Sequence, residues 1–206
     1  MSTRVQIAQN LQLFFNNTTY YDIQTINDSI QDGVDEICSF TGCIYKSAVI
    51  PFTQYKTYYD LLTILPDYIG VVAIFNSVIR RWLFPTSLKK FWQARIDWDT
   101  AFGTPYYFSA INHRYMAIFM KPSSPNYGNM IIFYRAQAPQ LDDGVQIPIP
   151  DEHLTVLEDY STVDLHEQAQ EWSKAKFQFE KYKEDLEQLR VLVRNQRNSD
   201  RYRSLR

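Results

Sequence analysis

The chain has 206 residues, 45% of them hydrophobic and 21% charged, with a formal net charge of −2. That length suffices for one sizeable core or two small lobes, and the charge balance excludes whole-chain electrostatic capture by nucleic acid or an anionic membrane. Two cysteines, Cys38 and Cys43, exclude a disulfide framework.

No stretch approaches the roughly 18–20 uninterrupted apolar residues of a membrane helix. The richest, Tyr68 to Phe84, is broken by Asn76, Ser77, Arg80 and Arg81. No basic segment followed by an apolar one opens the chain, so no secretory leader is expected, and synthesis in a reducing cytoplasm is. Fifteen tyrosines raise the aromatic content to 16%. Tyrosine combines apolar area with a polar tip, which suits half-buried strands and protein–protein surfaces alike.

Residues 1–19 are polar at both ends around Leu11, Leu13, Phe14 and Phe15, and read as an N-terminal arm or short helix ordered by a neighbour. A helix is expected over about 22–41. Ile23, Ile26, Ile30, Val34 and Ile37 are spaced 3, 4, 4 and 3, with Asp22 or Thr25 as cap and Gly42 just past the end. Gly33 inside it costs roughly 1 kcal/mol relative to alanine, which points to close packing there.

A β-rich insertion follows over about 44–150. Ile44 to Ile64 is Thr- and Tyr-rich and extended, and Pro51 confines part of it to an edge. Leu65-Pro66-Asp67 breaks the chain before the apolar strand Tyr68 to Phe75. Pro85-Thr86-Ser87 opens a helix near 86–99, with Leu88, Phe91, Trp92 and Arg95 on one face. Beyond the turn at Gly103-Thr104-Pro105, Tyr106 to Ile111 and Tyr115 to Met120 form a hairpin through Asn112-His113-Arg114. Met130 to Ala136 is a further strand.

Pro148 and Pro150 hold an extended run into helices over about 151–193. The second of these carries Ala169, Trp172, Ala175, Phe179, Tyr182, Leu186, Leu189 and Val193, spaced 3, 3, 4, 3, 4, 3 and 4. From Gln168 to Val193 it would be roughly 40 Å long. Such a seam needs partners from this chain or from a neighbour. Taken as a subunit contact, it presents Trp172, Phe179, Tyr182, Leu186 and Leu189. Residues 194–206 contain five arginines and one aspartate, and read as an arm without structure of its own. Its Arg194, Arg197, Arg201, Tyr202, Arg203 and Arg206 suit an acidic partner surface through bidentate contacts to carboxylates.

No chemical centre accompanies these parts. His113, His153 and His166 lack metal-ligand spacing to each other or to cysteine. Asp142-Asp143-Gly144 reads as a turn and Asp151-Glu152 as first-turn helix acids, rather than as paired hydrolytic carboxylates. Arg80-Arg81-Trp82 and Lys89-Lys90-Phe91-Trp92 resemble single-strand nucleic-acid contacts, but lie on elements with apolar faces and read as their solvated sides. No cofactor, metal or catalytic residue is expected. The fold class is α+β, with a β-rich middle between the N-terminal helix and the long C-terminal helices, over 20–193.

The order of these parts resembles the head-to-tail adaptor (connector) proteins of tailed bacteriophages, in particular the short-tailed type. The resemblance covers roughly residues 20 to 195. It rests on Ile26-Asn27-Asp28-Ser29-Ile30-Gln31-Asp32, Leu65-Pro66-Asp67-Tyr68, Gly103-Thr104-Pro105-Tyr106-Tyr107 and the run from Tyr134 to Pro150 with the helix after it. It implies a helical bundle, built from the N-terminal helix and the long C-terminal helices, with an inserted antiparallel β domain. It also implies a virion structural protein at the head–tail junction, in a homo-oligomeric ring of about a dozen copies. Such a ring binds the portal protein on one side and a tail or nozzle protein on the other. Double-stranded DNA passes through without sequence-specific binding, and no membrane is involved. Residues 1–19 fall outside the match. The alternatives are a tail-tube or neck protein that does not touch the portal, a small cell-wall hydrolase using Asp142 or Asp143, and a single-strand binder using Arg80, Arg81, Lys89 and Lys90.

Overall fold

A computed structural model describes residues 3–15, 21–124, 127–142 and 144–203, with side chains described to residue 195. The fold is α+β and divides into two compact units. Met1–Ile44 and Ala138–Arg206 form a helical unit, and Tyr45–Gln137, inserted between them, forms a β unit.

The helical unit contains α1 (Arg4–Phe15), α2 (Ile23–Thr41), α5 (Leu154–Gln168) and α6 (Trp172–Arg203). Helix α2 follows the apolar spacing closely, burying Ile26, Ile30, Val34 and Ile37 and leaving only Ile23 of that stripe exposed. Its ends are set by local chemistry. The Asp22 carboxylate accepts the Thr25 N–H at 2.7 Å, and Gly42 takes the left-handed conformation (φ 62°), donating its N–H to the Cys38 carbonyl at 2.8 Å.

Close packing at Gly33 is real. A Cβ there would sit 2.6 Å from Tyr160 Cδ1 and 2.7 Å from Leu157 Cδ1, both on α5. In Gly33→Ala the gain in helix propensity, about 1 kcal/mol, opposes an overpacking cost of about 1–3 kcal/mol. The Tyr160 ring cannot swing aside as the end of a flexible chain would, so overpacking prevails. Urea unfolding of the variant is expected to show a net loss of up to about 2 kcal/mol.

Residues 4–15, expected as an arm or short helix, form the helix α1 and bury Ile7, Ala8 and Leu11 in the core of the helical unit. Residues 138–150, expected within the β insertion, also join this unit. Leu141, Ile147 and Ile149 enter the same core, and the Leu141 N–H donates to Gln31 Oε1 at 2.8 Å. A 3-10 turn at Asp151–His153 leads into α5. Helix α5 touches α1, α2 and α6 and is buried on several sides, so its sequence lacks a single apolar stripe.

The β unit is a seven-stranded sheet. Its strands are β1 (Tyr45–Pro51), β2 (Tyr58–Asp60), β3 (Tyr68–Asn76), β4 (Arg81–Pro85), β5 (Tyr107–Ile111), β6 (Tyr115–Phe119) and β7 (Asn129–Ala136). The spatial order is β1-β7-β3-β4-β5-β6-β2. Every pairing is antiparallel except β4 with β5, which departs from the all-antiparallel expectation. The β5–β6 hairpin lies where Asn112-His113-Arg114 places it, with Asn112 at φ 53° and its side chain accepting the Arg114 N–H at 2.8 Å.

Two short helices complete the unit. Helix α3 (Leu61–Ile64) replaces the end of the extended run expected there, and Asp60 caps it. Helix α4 (Leu88–Ala94) is shorter than the expected 86–99 and is capped by Ser87. Below α4, Phe91, Trp98 and Ala117 form a small aromatic core.

Candidate assembly surfaces

The residues with chemical potential lie apart. His113 is exposed on the hairpin turn, and His166 is buried with Nδ1 2.8 Å from Glu171 Oε2. Asp142 is exposed and its carbonyl accepts the Val145 N–H at 3.0 Å, as a tight turn requires; Asp143 lies outside the described residues. Arg80, Arg81, Lys89 and Lys90 are all exposed, on the β3–β4 turn, at the start of β4 and on α4. Among the described residues, no three His, Cys, Asp or Glu side chains converge as metal ligands. No helix among them is long and apolar enough to cross a membrane.

Helix α6 holds the expected seam, and the structure divides it. Ala175, Tyr182, Leu186, Leu189 and Val193 are buried, and the last four belong to the core of the chain's own helical unit. The Tyr182 hydroxyl donates to Glu36 Oε1 at 2.8 Å, and its ring meets Tyr160 edge-on at 5.5 Å. Burial, reinforced by the Glu36 carboxylate, pushes the Tyr182 phenol up and Tyr160 up to about 12. Tyr182, Leu186 and Leu189, expected as subunit contacts, are thus packed into the core of their own chain. Their partners are α2 and α5 of the same chain.

A second link joins α6 to α5 at Asp159. This buried carboxylate accepts from Gln178 Nε2 at 2.5 Å and from Lys181 Nζ at 2.9 Å through one oxygen. Burial pushes its pKa up, more than Lys181 and Gln178 draw it down.

Trp172 and Phe179, from the same expected set, remain available at 63% and 41% exposure. Phe179 lies beneath Lys183, whose Nζ is 5.0 Å from the ring centre. A further row on α6 escaped the sequence reading. Phe177, Glu180, Glu184, Glu187, Val191 and Arg194 are spaced 3, 4, 3, 4 and 3, and all are exposed, Phe177 at 78%. The spacing was present, but glutamates fill its middle and no apolar periodicity marks it. Lys183 and Arg190 pair with Glu180 and Glu187 at 2.9 and 3.1 Å, within the helix.

The arginine-rich segment starts differently from the expected unstructured arm, since the α6 backbone continues as helix to Arg203. Arg194 is exposed on it. The side chains of Arg197, Arg201, Tyr202 and Arg203, and all of Arg206, lie outside the described residues. Along the helix Arg190, Arg194, Arg197 and Arg201 are spaced 4, 3 and 4.

The β unit carries an aromatic row of its own. Phe84 of β4 pairs in register with Tyr107 of β5, and Tyr107 with Phe119 of β6. Their ring centres are 6.0 and 6.3 Å apart, and Phe84 and Tyr107 are exposed. The Gly103-Thr104-Pro105-Tyr106-Tyr107 motif feeds this row directly. Beside Asp60, Arg114 donates to the carboxylate at 2.7 and 2.9 Å and holds it below the usual range.

In comparisons with known proteins, the family model described as SU10 adaptor protein matches residues 2–206. No curated protein matches this chain.

Proposed function

Since the chain belongs to the SU10 adaptor protein family and is a structural component of a bacteriophage virion, we propose that it forms the ring joining portal to tail at the head–tail junction of a short-tailed phage. The observation that carries this reading is the division of α6. Its inner seam is spent on the chain's own core, while an outer row of exposed residues runs without a break into the arginine-rich end. An element stabilised from one side and free on the other supports repetition of a heterologous contact until a ring closes. Trp172, Phe177 and Phe179 are the exposed aromatics on α6 that a neighbouring copy would cover.

The arginine end is the portal contact in this reading, through Arg194, Arg197, Arg201, Tyr202, Arg203 and Arg206. Guanidinium groups pair bidentately with carboxylates, so the partner surface is acidic. A ring of such subunits extends the channel through which DNA passes. A chain of net charge −2 suits a channel that must not grip its cargo.

The experiment is docking of full-length protein and of a version lacking residues 194–206 onto the purified portal of the same virus, read by sedimentation and negative-stain imaging. The full chain is expected to form rings on the portal. The shortened chain is expected to dock about tenfold more weakly or worse at low salt, with the deficit narrowing as rising salt screens the arginine contacts. Equal docking of both forms would refute the arginine contact. Cross-links to tail components alone would favour a neck or tail-tube position.

A further inference from the structure

Cys38 occupies the last turn of α2, and Gly42 turns the chain back at the helix end. That turn brings Cys43 Sγ to 3.3 Å from Cys38 Sγ. Both are free thiols, Cys38 buried in the core of the helical unit and Cys43 half-buried against it. The two sulfurs differ in character. The hydrogen bond between the two thiols draws Cys43 down to about 7 against the effect of burial, with the Thr41 hydroxyl assisting, while Cys38 is pushed up by the same contact and by burial. Cys43 is thus the accessible nucleophile and Cys38 the protected thiol behind it.

We propose that Cys38 and Cys43 are a dithiol that closes into an intramolecular disulfide when the folded protein meets a low-molecular-weight disulfide. The Cys43 thiolate attacks one sulfur of the oxidant RSSR, forming a mixed disulfide and releasing RS⁻, which takes up a proton. Cys38 loses its proton to solvent and attacks the Cys43 sulfur, expelling the second RS⁻, which is protonated in turn. Two protein thiols and one RSSR become one protein disulfide and two RSH. Disulfide sulfurs bond at about 2.05 Å, so the pair must approach by about 1.3 Å. Side-chain rotation supplies this readily, because Cys43 lies beyond the helix and is not held by its hydrogen-bond ladder.

The bond would tie the exit of the chain from α2 to the last turn of that helix, two residues before Tyr45 opens the β unit in sequence. Because virion proteins leave a reducing cytoplasm for an oxidising exterior, the tie forms after release from the host. This step rests on the family assignment but not on ring formation or portal docking.

The test uses the full-length, reduced protein incubated with oxidised glutathione, followed by thiol alkylation in denaturant and intact-mass measurement. Alkylatable thiols are expected to fall from two to none. The mass should fall by about 2 Da, with no linked dimer on a non-reducing gel. Cys38→Ala should hold a glutathione adduct on Cys43, and Cys43→Ala should remain unmodified because Cys38 is buried. Two surviving thiols, a stable glutathione adduct on the unaltered protein, or a linked dimer would each overturn the proposal.

Discussion

Leu189→Ala is expected to destabilise the helical unit by about 2–5 kcal/mol, whereas Trp172→Ala, on the same helix, is expected to change stability by less than about 0.5 kcal/mol. Both positions belong to one heptad-like spacing, and sequence alone gives them equal standing as interface residues. Their surroundings differ completely. Leu189 is 0% exposed in a core with Ile37, Leu157 and Tyr182, while Trp172 is 63% exposed. Truncating Leu189 leaves a cavity that the packed helices α2, α5 and α6, with α2 capped at both ends and tied to α6 by the Tyr182–Glu36 bond, cannot close. Denaturant unfolding of the isolated subunit checks the pair. Ring formation by Trp172→Ala, at unchanged stability, separates the subunit-contact role from folding. If Leu189→Ala were neutral in the monomer, the seam would have to be covered by a second copy after all.

Trp98→Ala is expected to cost the β unit about 3–5 kcal/mol. The indole is 1% exposed and its ring centre lies 5.1 Å from Phe91, 6.1 Å from Tyr58 and 6.2 Å from Trp92. Trp98 is the largest side chain of this small core, which it shares with Phe91 and Ala117 and the flanking Leu88, Ile111 and Phe119. Trp98→Phe provides the internal control. Among the described residues the indole Nε1–H has no acceptor, and phenylalanine removes that unsatisfied donor while keeping most of the apolar volume. Its cost should be only about 1–2 kcal/mol. Near-ultraviolet circular dichroism and thermal melting distinguish the two variants, and equal losses would mean that the N–H does have a partner.

The parts most legible in the sequence are those where several local signals agree. For α2 the apolar spacing, the Asp22 cap and the Gly42 stop all specify the same helix, and each operates in the structure. The β5–β6 hairpin was similarly marked by its turn. Strand β4 was not, because five residues are too few to establish alternation and Arg80-Arg81-Trp82 drew attention to charge instead. Helix α1 does carry a start signal, since the Thr3 N–H donates to Gln6 Oε1 at 3.0 Å as in a capping box, but its apolar Ile7, Ala8 and Leu11 are too few to announce a core contribution.

The seam of α6 shows a different limit. Periodicity records that a helix face needs cover, but it does not say which chain supplies it. Here α2 and α5 supply it, from sequence positions far from α6, which is a property of the fold and not of any local window. The outer row from Phe177 to Arg194 was hidden for the opposite reason: it is exposed, and the charges of Glu180, Glu184 and Glu187 interrupt any apolar pattern that would mark it.

The two margins of the β sheet carry a consequence for subunits still waiting to assemble. Among the described residues β1 pairs only with β7, and β2 only with β6, so each has one flank without a strand neighbour. An unpaired flank is a template on which another chain's backbone can grow. Here β1 ends in Pro51, which offers no N–H, and carries the charge of Lys46, paired with Asp67 at 2.5 Å. Strand β2 is only three residues long and passes at once into α3. Both margins therefore discourage growth by strand addition. Newly made subunits can thus accumulate without setting into fibres, and any assembly is left to the side-chain surfaces.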